Sequence, residues 1–447
     1  MAGKEQWSSK IGFILASAGA AIGLGAIWKF PYVVGQSGGG AFFLLFVVFT
    51  MLIGLPMLIA EYIIGRGSGK EAVGAYRKLA PSSWMKQTGV LGVIGCALLL
   101  SFYAVVGGWI IVYVALGIFN QIIGNPMAYD ALFGYIITTP WITILGLFVF
   151  MLLNVIVIAA GIQKGIEKAS KLLMPLLFLF FIILVIRSLT LPNAMEGVKF
   201  FLAPNFSNIT WEAVLFALGQ SFFSLAVGFS CMVTYSSFLS KKESIPNAAT
   251  TVVVLNILVS FLAGLAIFPA VFSFNIEPDA GPGLLFMILP TVFEQIPFGT
   301  GFLLLFLLLF LFATITSSFS MLEIIVSAFV ENRQTSRKKT TYAVGAVMFI
   351  LALPSALSNG VLKDIILFNR NIFDLTDFVV SNVLLPLGAL LIAIFICWAI
   401  PKQQIKSEFL LGSKVSPQTF ELWYRLMQYL VPIVIGVVFI LGLIKTT

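Results

Sequence analysis

Residues 18–42 read AGAAIGLGAIWKFPYVVGQSGGGAF. The stretch starts as an apolar helix, yet Gly23, Gly25 and Pro31 interrupt it, Lys29 adds a charge, and Gly38, Gly39 and Gly40 follow. Glycine inside a helix costs stability, and proline removes a backbone donor. Inside a membrane the cost is steeper, because every freed N–H and C=O needs a partner that lipid cannot supply. A break there implies that the freed backbone does work.

The surroundings establish that the stretch lies in a membrane. Of the 447 residues 60% are hydrophobic and 10% charged, with a mean hydropathy of +1.06. Runs such as TVVVLNILVSFLAGLAIFPAVFSF and TGFLLLFLLLFLFATITSSFSMLEIIVSAF reach the roughly 20 residues that cross a bilayer as a helix. The N-terminal MAGKEQWSSK is too short and polar to begin a cleaved signal peptide, so the first apolar run is a span. Histidine is absent, which removes histidine ligands and bases from this chain. Cys96, Cys231 and Cys397 sit in apolar runs and read as small buried hydrophobes. The net charge of +8 is too sparse and too well placed in loops to indicate nucleic acid.

Apolar length predicts eleven spans near 11–35, 40–65, 89–119, 141–160, 167–187, 211–239, 247–273, 299–330, 341–354, 373–399 and 422–443, the ninth able to run on past Pro354. With the N-terminus inside, the tail and the loops around 66–88, 161–171, 240–246, 331–340 and 400–425 hold 20 of the 26 Lys and Arg residues. The positive-inside rule then sets the N-terminus in the cytoplasm and the C-terminus outside. Span six, with Gly219 and Gly228 around Gln220, Ser221 and Ser224, resembles span one, and each opens a block of five. Glycine-interrupted helices at matching places point to a transporter with inverted repeats. Glycine also serves close helix packing, so the spacing alone leaves both readings open.

A broken helix offers N–H groups to a carboxylate at one end and carbonyls to a small cation at the other. Hard oxygens suited to sodium occur at Asn256 and at Thr316, Ser317 and Ser318, although serine and threonine also bond back to their own helix. Glu61 and Glu323 are intramembrane carboxylates, a costly placement that is usually functional or paired. Arg66 is a partner within reach in sequence for Glu61; Glu323 has none nearby.

These residues carry a family resemblance. AGAAIGLGAIWKFPYVVGQSGGGAFF with GLPMLIAEYIIGRG, then SFYAVVGGW, GQSFFSLAVGFSCMVTYSSF and FATITSSFSMLE resemble the neurotransmitter:sodium symporters across spans one to ten. Within that family the chain is similar to bacterial carriers of many hydrophobic amino acids, which have eleven spans where many relatives have twelve. The resemblance implies an all-α integral membrane protein with the leucine-transporter fold, a 5+5 inverted repeat plus an eleventh helix. Its parts are a cytoplasmic gate segment at 1–10, repeats at 11–187 and 211–399, an extracellular loop at 188–210, and a loop with the last span at 400–447.

The same resemblance implies a substrate site framed by Ala21, Gly25, Tyr103 and Ser224, with Phe223 and Phe229 as its aromatic pair and Leu99, Ala226, Ser317 and Met321 completing the pocket. Ala226 stands where the family often has serine, which leaves room for a larger group. Independently, aromatic and methionine linings suit varied apolar side chains. One sodium site maps to Ala21, Ser224 and Asn256, with Ala26 in place of a usual asparagine ligand; a second maps to Gly19, Ile22, Ala313, Thr316 and Ser317. Two sodium ions and a hydrophobic L-amino acid are thus the expected cargo. The chloride constellation reads Phe46, Gln220, Ser224, Asn256 and Ser260; the missing tyrosine hydroxyl predicts no chloride requirement, with Glu323 as a possible compensating charge.

The outer gate maps to Lys29, Phe223 and Asp374, and the inner gate to Lys4, Trp7 and Glu331. Gly165 and Pro175 bracket a part of span five that unwinds in relatives to hydrate the second sodium. The reading is therefore a sodium-coupled symporter of hydrophobic and aromatic amino acids in a bacterial plasma membrane, without an obligate protein partner. A sodium-gated receptor or channel on the same fold is the alternative. An enzyme is the least favoured reading, since no extramembrane segment is large enough for a familiar cofactor fold.

Overall fold

The computed structural model describes residues 5–274, 284–333 and 335–444. Among the described residues nine continuous helices are long and apolar enough to cross a membrane: Gly40–Ser68, Trp84–Ile118, Pro140–Ala159, Ile162–Leu189, Ile245–Ser273, Gly299–Glu331, Arg337–Leu357, Ile372–Ala399 and Pro417–Gly442. They are spans two to five and seven to eleven of the sequence. Span one is the pair Lys10–Ala21 and Gly25–Gln36, bent by 53°. Span six is divided into Trp211–Phe223 and Cys231–Ser236 by non-helical residues 224–230. The chain is an all-helical membrane protein with the leucine-transporter fold, and each block of five spans opens on its broken helix. Span nine passes through Pro354 to Leu357, because the helix accommodates proline where its neighbours hold it.

Local rules place the ends. Ser9 caps span one by accepting from the Gly12 N–H, Ser244 caps span seven through Asn247, and Ser416 caps span eleven through Thr419. Span three runs along span eight and also packs on spans four and nine, while span five packs on spans seven and eight. The first half of span one lies in the centre, against spans five, seven and eight. Without water between helices, close approach decides such packing. Spans three and four meet at Gly108 and Gly146, where a Cβ on Gly108 would sit 2.6 Å from the Leu147 nitrogen and one on Gly146 2.6 Å from the Gly108 oxygen.

That crossing gives a stability test. Gly108→Val forces backbone apart at the contact and should cost about 1–3 kcal/mol, read as a lowered thermal midpoint in detergent. Gly134→Ala, inside a helix and with nothing within 4 Å of the added atom, should leave stability unchanged or raise it by up to about 1 kcal/mol. Equal midpoints for the two variants would contradict the packing.

Candidate functional site

The break in span one begins where Ile22 leaves helical geometry, at ψ 88°. The freed backbone finds partners on three other spans. The Leu24 N–H donates to the Tyr103 hydroxyl of span three at 3.2 Å. The Ser317 hydroxyl of span eight donates to the Ala20 carbonyl at 2.9 Å. The Gln220 amide of span six donates to the Gly25 carbonyl. Glycine is required between these contacts: a Cβ on Gly23 would lie 2.5 Å from the Tyr103 oxygen and 2.6 Å from that of Ser317.

The break in span six faces it. Phe223 ends the first half and its ring covers Gly25, whose Cβ would meet that ring at 2.7 Å. Ala226, Gly228 and Ser230 have φ of 51°, 105° and 62°, so the chain cannot continue as a helix. Ser224 is tied to Asn256 of span seven twice: its hydroxyl donates to the side-chain oxygen at 3.2 Å, and its carbonyl accepts from the side-chain amide at 2.8 Å. The Gly228 N–H donates to Glu61 of span two at 2.7 Å, and the same buried carboxylate faces the N–H groups of Ser230, Met232 and Val233. Tyr76 and Ser230 share a hydrogen bond of 2.8 Å.

The structure therefore brings Gly25, Tyr103, Phe223 and Ser224 together at the meeting of two broken helices. Phe229, Leu99, Met321 and Ala21 are buried in the same core, with Ala226 packed against it. Gly19 touches Thr316 closely, its Cβ position being 2.9 Å from the threonine Cβ and 3.2 Å from the hydroxyl oxygen. The Thr316 hydroxyl donates to the carbonyls of Phe312 at 2.8 Å and Ala313 at 3.1 Å. A hydroxyl that donates to its own helix keeps its lone pairs for a cation, so the neutral oxygen set suits sodium. Ile22 and Ala313 flank this contact on the two helices. The Phe46 ring centre lies 5.0 Å from that of Phe30 in a phenylalanine cluster with Phe42 and Phe201, an apolar setting, and the Ser260 hydroxyl is buried with no hydrogen-bond partner among the described residues.

The two ends of the bundle close differently. Towards the end of span one, Lys29 lies 4.5 Å from the centre of the Phe223 ring and bonds both oxygens of Asp377 at 2.8 and 3.1 Å, with Ser381 at 3.4 Å. This corrects the expected partner Asp374, whose own N–H is capped by Asn371 at the start of span ten. Asp377 is nearly one turn, about 4.5 Å, further along the helix, the depth that Lys29 reaches. Lys29 and Asp377 line a cavity of about 450 Å³ together with Tyr32, Glu212, Phe216, Arg370 and Phe378.

At the opposite end, Trp7 is buried against Phe13 and Tyr235 and donates its indole N–H to the Tyr235 carbonyl at 2.9 Å. Lys4 lies outside the described residues. Glu331 is 3.6 Å from Lys70. Sequence reasoning missed the stronger bonds here. Glu167 accepts from the Ser8 N–H at 2.8 Å and the Ser9 hydroxyl at 3.2 Å, and pairs with Lys171 at 2.6 Å. Glu5 accepts from the Ile162 N–H at 3.1 Å and lies 3.9 Å from Arg337. The i,i+4 spacing of Glu167 and Lys171 within GIEKASKLLMP was the available signal. Gly165 sits in a wound turn and Pro175 inside a continuous helix, so span five is helical throughout this segment.

Two carboxylate expectations are corrected. Glu323 pairs with Arg337 of span nine through two hydrogen bonds and accepts from the Ser327 hydroxyl, so its charge is matched near the Trp7 end and is not left to compensate for chloride. Glu61 does not pair with Arg66, which bonds Glu408 and the Glu243 carbonyl. Five residues apart on a helix, the two side chains point about 140° away from each other.

The model of the sodium:neurotransmitter symporter family matches residues 4–123 and 138–447. The chain is 53% identical over 97% of both chains to an uncharacterized sodium-dependent transporter, YhdH, of Bacillus subtilis. It is 37% identical over 98% of both to an uncharacterized sodium-dependent transporter of Haemophilus influenzae. The crystal structure of MhsT in complex with L-phenylalanine superposes with a TM-score of 0.91 at 39% identity, covering 98% of this chain and 99% of that one.

The Lys29 contact separates the two aspartates by experiment. With Leu99→Cys as a reporter in an otherwise cysteine-free chain, Asp377→Asn should speed labelling by a charged thiol reagent added from the Lys29 side at least threefold. Asp374→Asn should leave that rate within about 1.5-fold, since the Lys29 ammonium is held by Asp377 and not by Asp374. The reverse ranking would reinstate Asp374.

Proposed function

The chain belongs to the sodium:neurotransmitter symporter family, and from that premise we propose that it carries hydrophobic and aromatic L-amino acids into the cell with sodium, by alternating access. One observation carries the reading: two interrupted helices meet beside Tyr103 at a site built of neutral oxygens and aromatic rings, closed at both ends. The Gly25 N–H and the Tyr103 hydroxyl receive the substrate carboxylate, and carbonyls at Ala21 and Ser224 receive its amino group. The side chain lies among Leu99, Phe223, Ala226, Phe229, Ser317 and Met321. The L-phenylalanine bound by MhsT is of this class.

Two sodium ions travel with it. The first is held by Ala21, Ser224, Asn256 and the substrate carboxylate, and it leans on that carboxylate because Ala26 has no side-chain oxygen. The second is held by carbonyls of Gly19, Ile22 and Ala313 and hydroxyls of Thr316 and Ser317. It reinforces a junction of spans one and eight that rests on the Ser317–Ala20 hydrogen bond. Bound sodium thus favours the form open to the outside; its loss frees span one, and the Gly165–Pro175 segment unwinds to admit water from the cytoplasm. The N-terminus is cytoplasmic, the C-terminus extracellular and the membrane the bacterial plasma membrane. Chloride is not required, given Phe46 in place of a hydroxyl.

Purified protein in liposomes tests the scheme. Radiolabelled phenylalanine should accumulate under an inward sodium gradient, persist when chloride is replaced by gluconate, and be competed by leucine and tryptophan. Thr316→Ala with Ser317→Ala should raise the half-saturating sodium concentration at least tenfold, a loss of about 1.4 kcal/mol or more. Unchanged sodium dependence in a folded double variant would remove that site. Substrate-evoked current without accumulation would replace the symporter by a channel.

A further inference from the structure

Cys96 and Cys231 meet. Their sulfurs lie 3.1 Å apart, and the residues are 0 and 2% exposed. Cys96 belongs to span three, which spans four, eight and nine hold along its length. Cys231 is the first residue of the helix after the span-six break. The contact is near the proposed pocket: Cys96 precedes Leu99 by three residues, Cys231 follows Phe229 by two, and the Cys96 thiol also faces the Phe229 carbonyl at 3.9 Å. Span three has little bulk there, since a Cβ on Gly95 would lie 2.4 Å from the Phe229 ring. The thiols therefore join a helix packed on three other spans to the interrupted one, just after its break.

We infer that Cys96 and Cys231 are a modification site, forming a reversible disulfide under hydroperoxide that latches the span-six break to span three and stops transport. A disulfide requires a sulfur separation of about 2.05 Å, so the two sulfurs need to approach by about 1 Å. Buried thiols in apolar surroundings are inert, which makes the reaction depend on motion. When the broken segment swings away, the Cys231 sulfur is exposed and takes one oxygen from the hydroperoxide, giving a sulfenic acid and, from hydrogen peroxide, one water. When the segment returns, the Cys96 sulfur attacks the sulfenic sulfur; the S–O bond breaks, and the hydroxyl leaves with the Cys96 proton as a second water. The two thiols lose two electrons and two protons, and the peroxide gains both. Thiol reductants reverse the bond. The arrest of transport rests on the function proposed above; the bond itself does not.

Full-length protein in liposomes, treated with hydrogen peroxide, carries the test, with two readouts. Mass spectrometry of the non-reduced digest should find a Cys96–Cys231 cross-linked peptide in most molecules, forming more slowly when sodium and phenylalanine hold the site closed. Sodium-driven phenylalanine uptake should fall at least tenfold in parallel and return after dithiothreitol, a reversal that needs no variant. Cys231→Ala should resist the loss, and Cys397→Ala, whose thiol lies in span ten, should behave as the parent. Absence of the cross-link, or sulfinic and sulfonic acids in its place, overturns the site. A complete cross-link with undiminished uptake overturns the latch. If no phenylalanine uptake exists before oxidation, the transport reading fails, and the cross-linked peptide still decides whether the site is real.

Discussion

Backbone groups freed inside a membrane need partners, and this structure is organised around supplying them. Spans one and six each abandon the helix near the middle of the bundle, where an unmatched N–H or C=O costs several kcal/mol. The partners come from everywhere else: Tyr103 from span three, Gln220 from span six, Ser317 from span eight, Asn256 from span seven and Glu61 from span two. Gln220 joins the two broken spans to each other, and each of the others holds a broken segment to an intact helix through one or two hydrogen bonds. Such links are strong enough to define an arrangement and weak enough to exchange, since a net hydrogen bond is worth about 1 kcal/mol.

The closures at the two ends follow from the same economy. On the Lys29 side that cation lies over the Phe223 ring and is paired with Asp377. On the Trp7 side closure is distributed: an indole anchored on a carbonyl, Glu167 on the start of span one, Glu5 on the start of span five, and Arg337 bridging Glu323 and Glu5. Opening the first end requires few bonds to break, whereas opening the second requires the N-terminal segment to leave several partners together. Span one, connected to both, is the element through which one end can respond to the other.

Much of this was legible in one dimension. The break in span one was visible as Gly23 and Gly25 within an otherwise apolar run, and that in span six as Gly228 beside polar residues, because glycine and hydropathy are local properties. Gly25, Tyr103, Phe223 and Ser224 could be named through their motifs, and the structure brings them together. The resemblance maps the outer gate to Asp374, but motif position does not say how deep Lys29 reaches, and only the structure shows that it meets Asp377. Glu323 looked unpartnered because Arg337 lies across a turn at the head of the next span. Glu61 looked paired with Arg66 because proximity along a chain is not proximity around a helix.

The sequence by itself determined that this is a membrane protein, where its spans run, and which two carry interrupting glycines, since composition, charge segregation and helix-breaking residues act within one segment at a time. Only the tertiary structure decided which groups face one another: Asp377 for Lys29, Arg337 for Glu323, the Gly228 amide for Glu61, and Cys231 for Cys96. Those pairings depend on the rotation and depth of each helix against its neighbours. Both are set by packing across the whole bundle, with contacts such as Gly108 on Gly146 fixing how closely two helices approach.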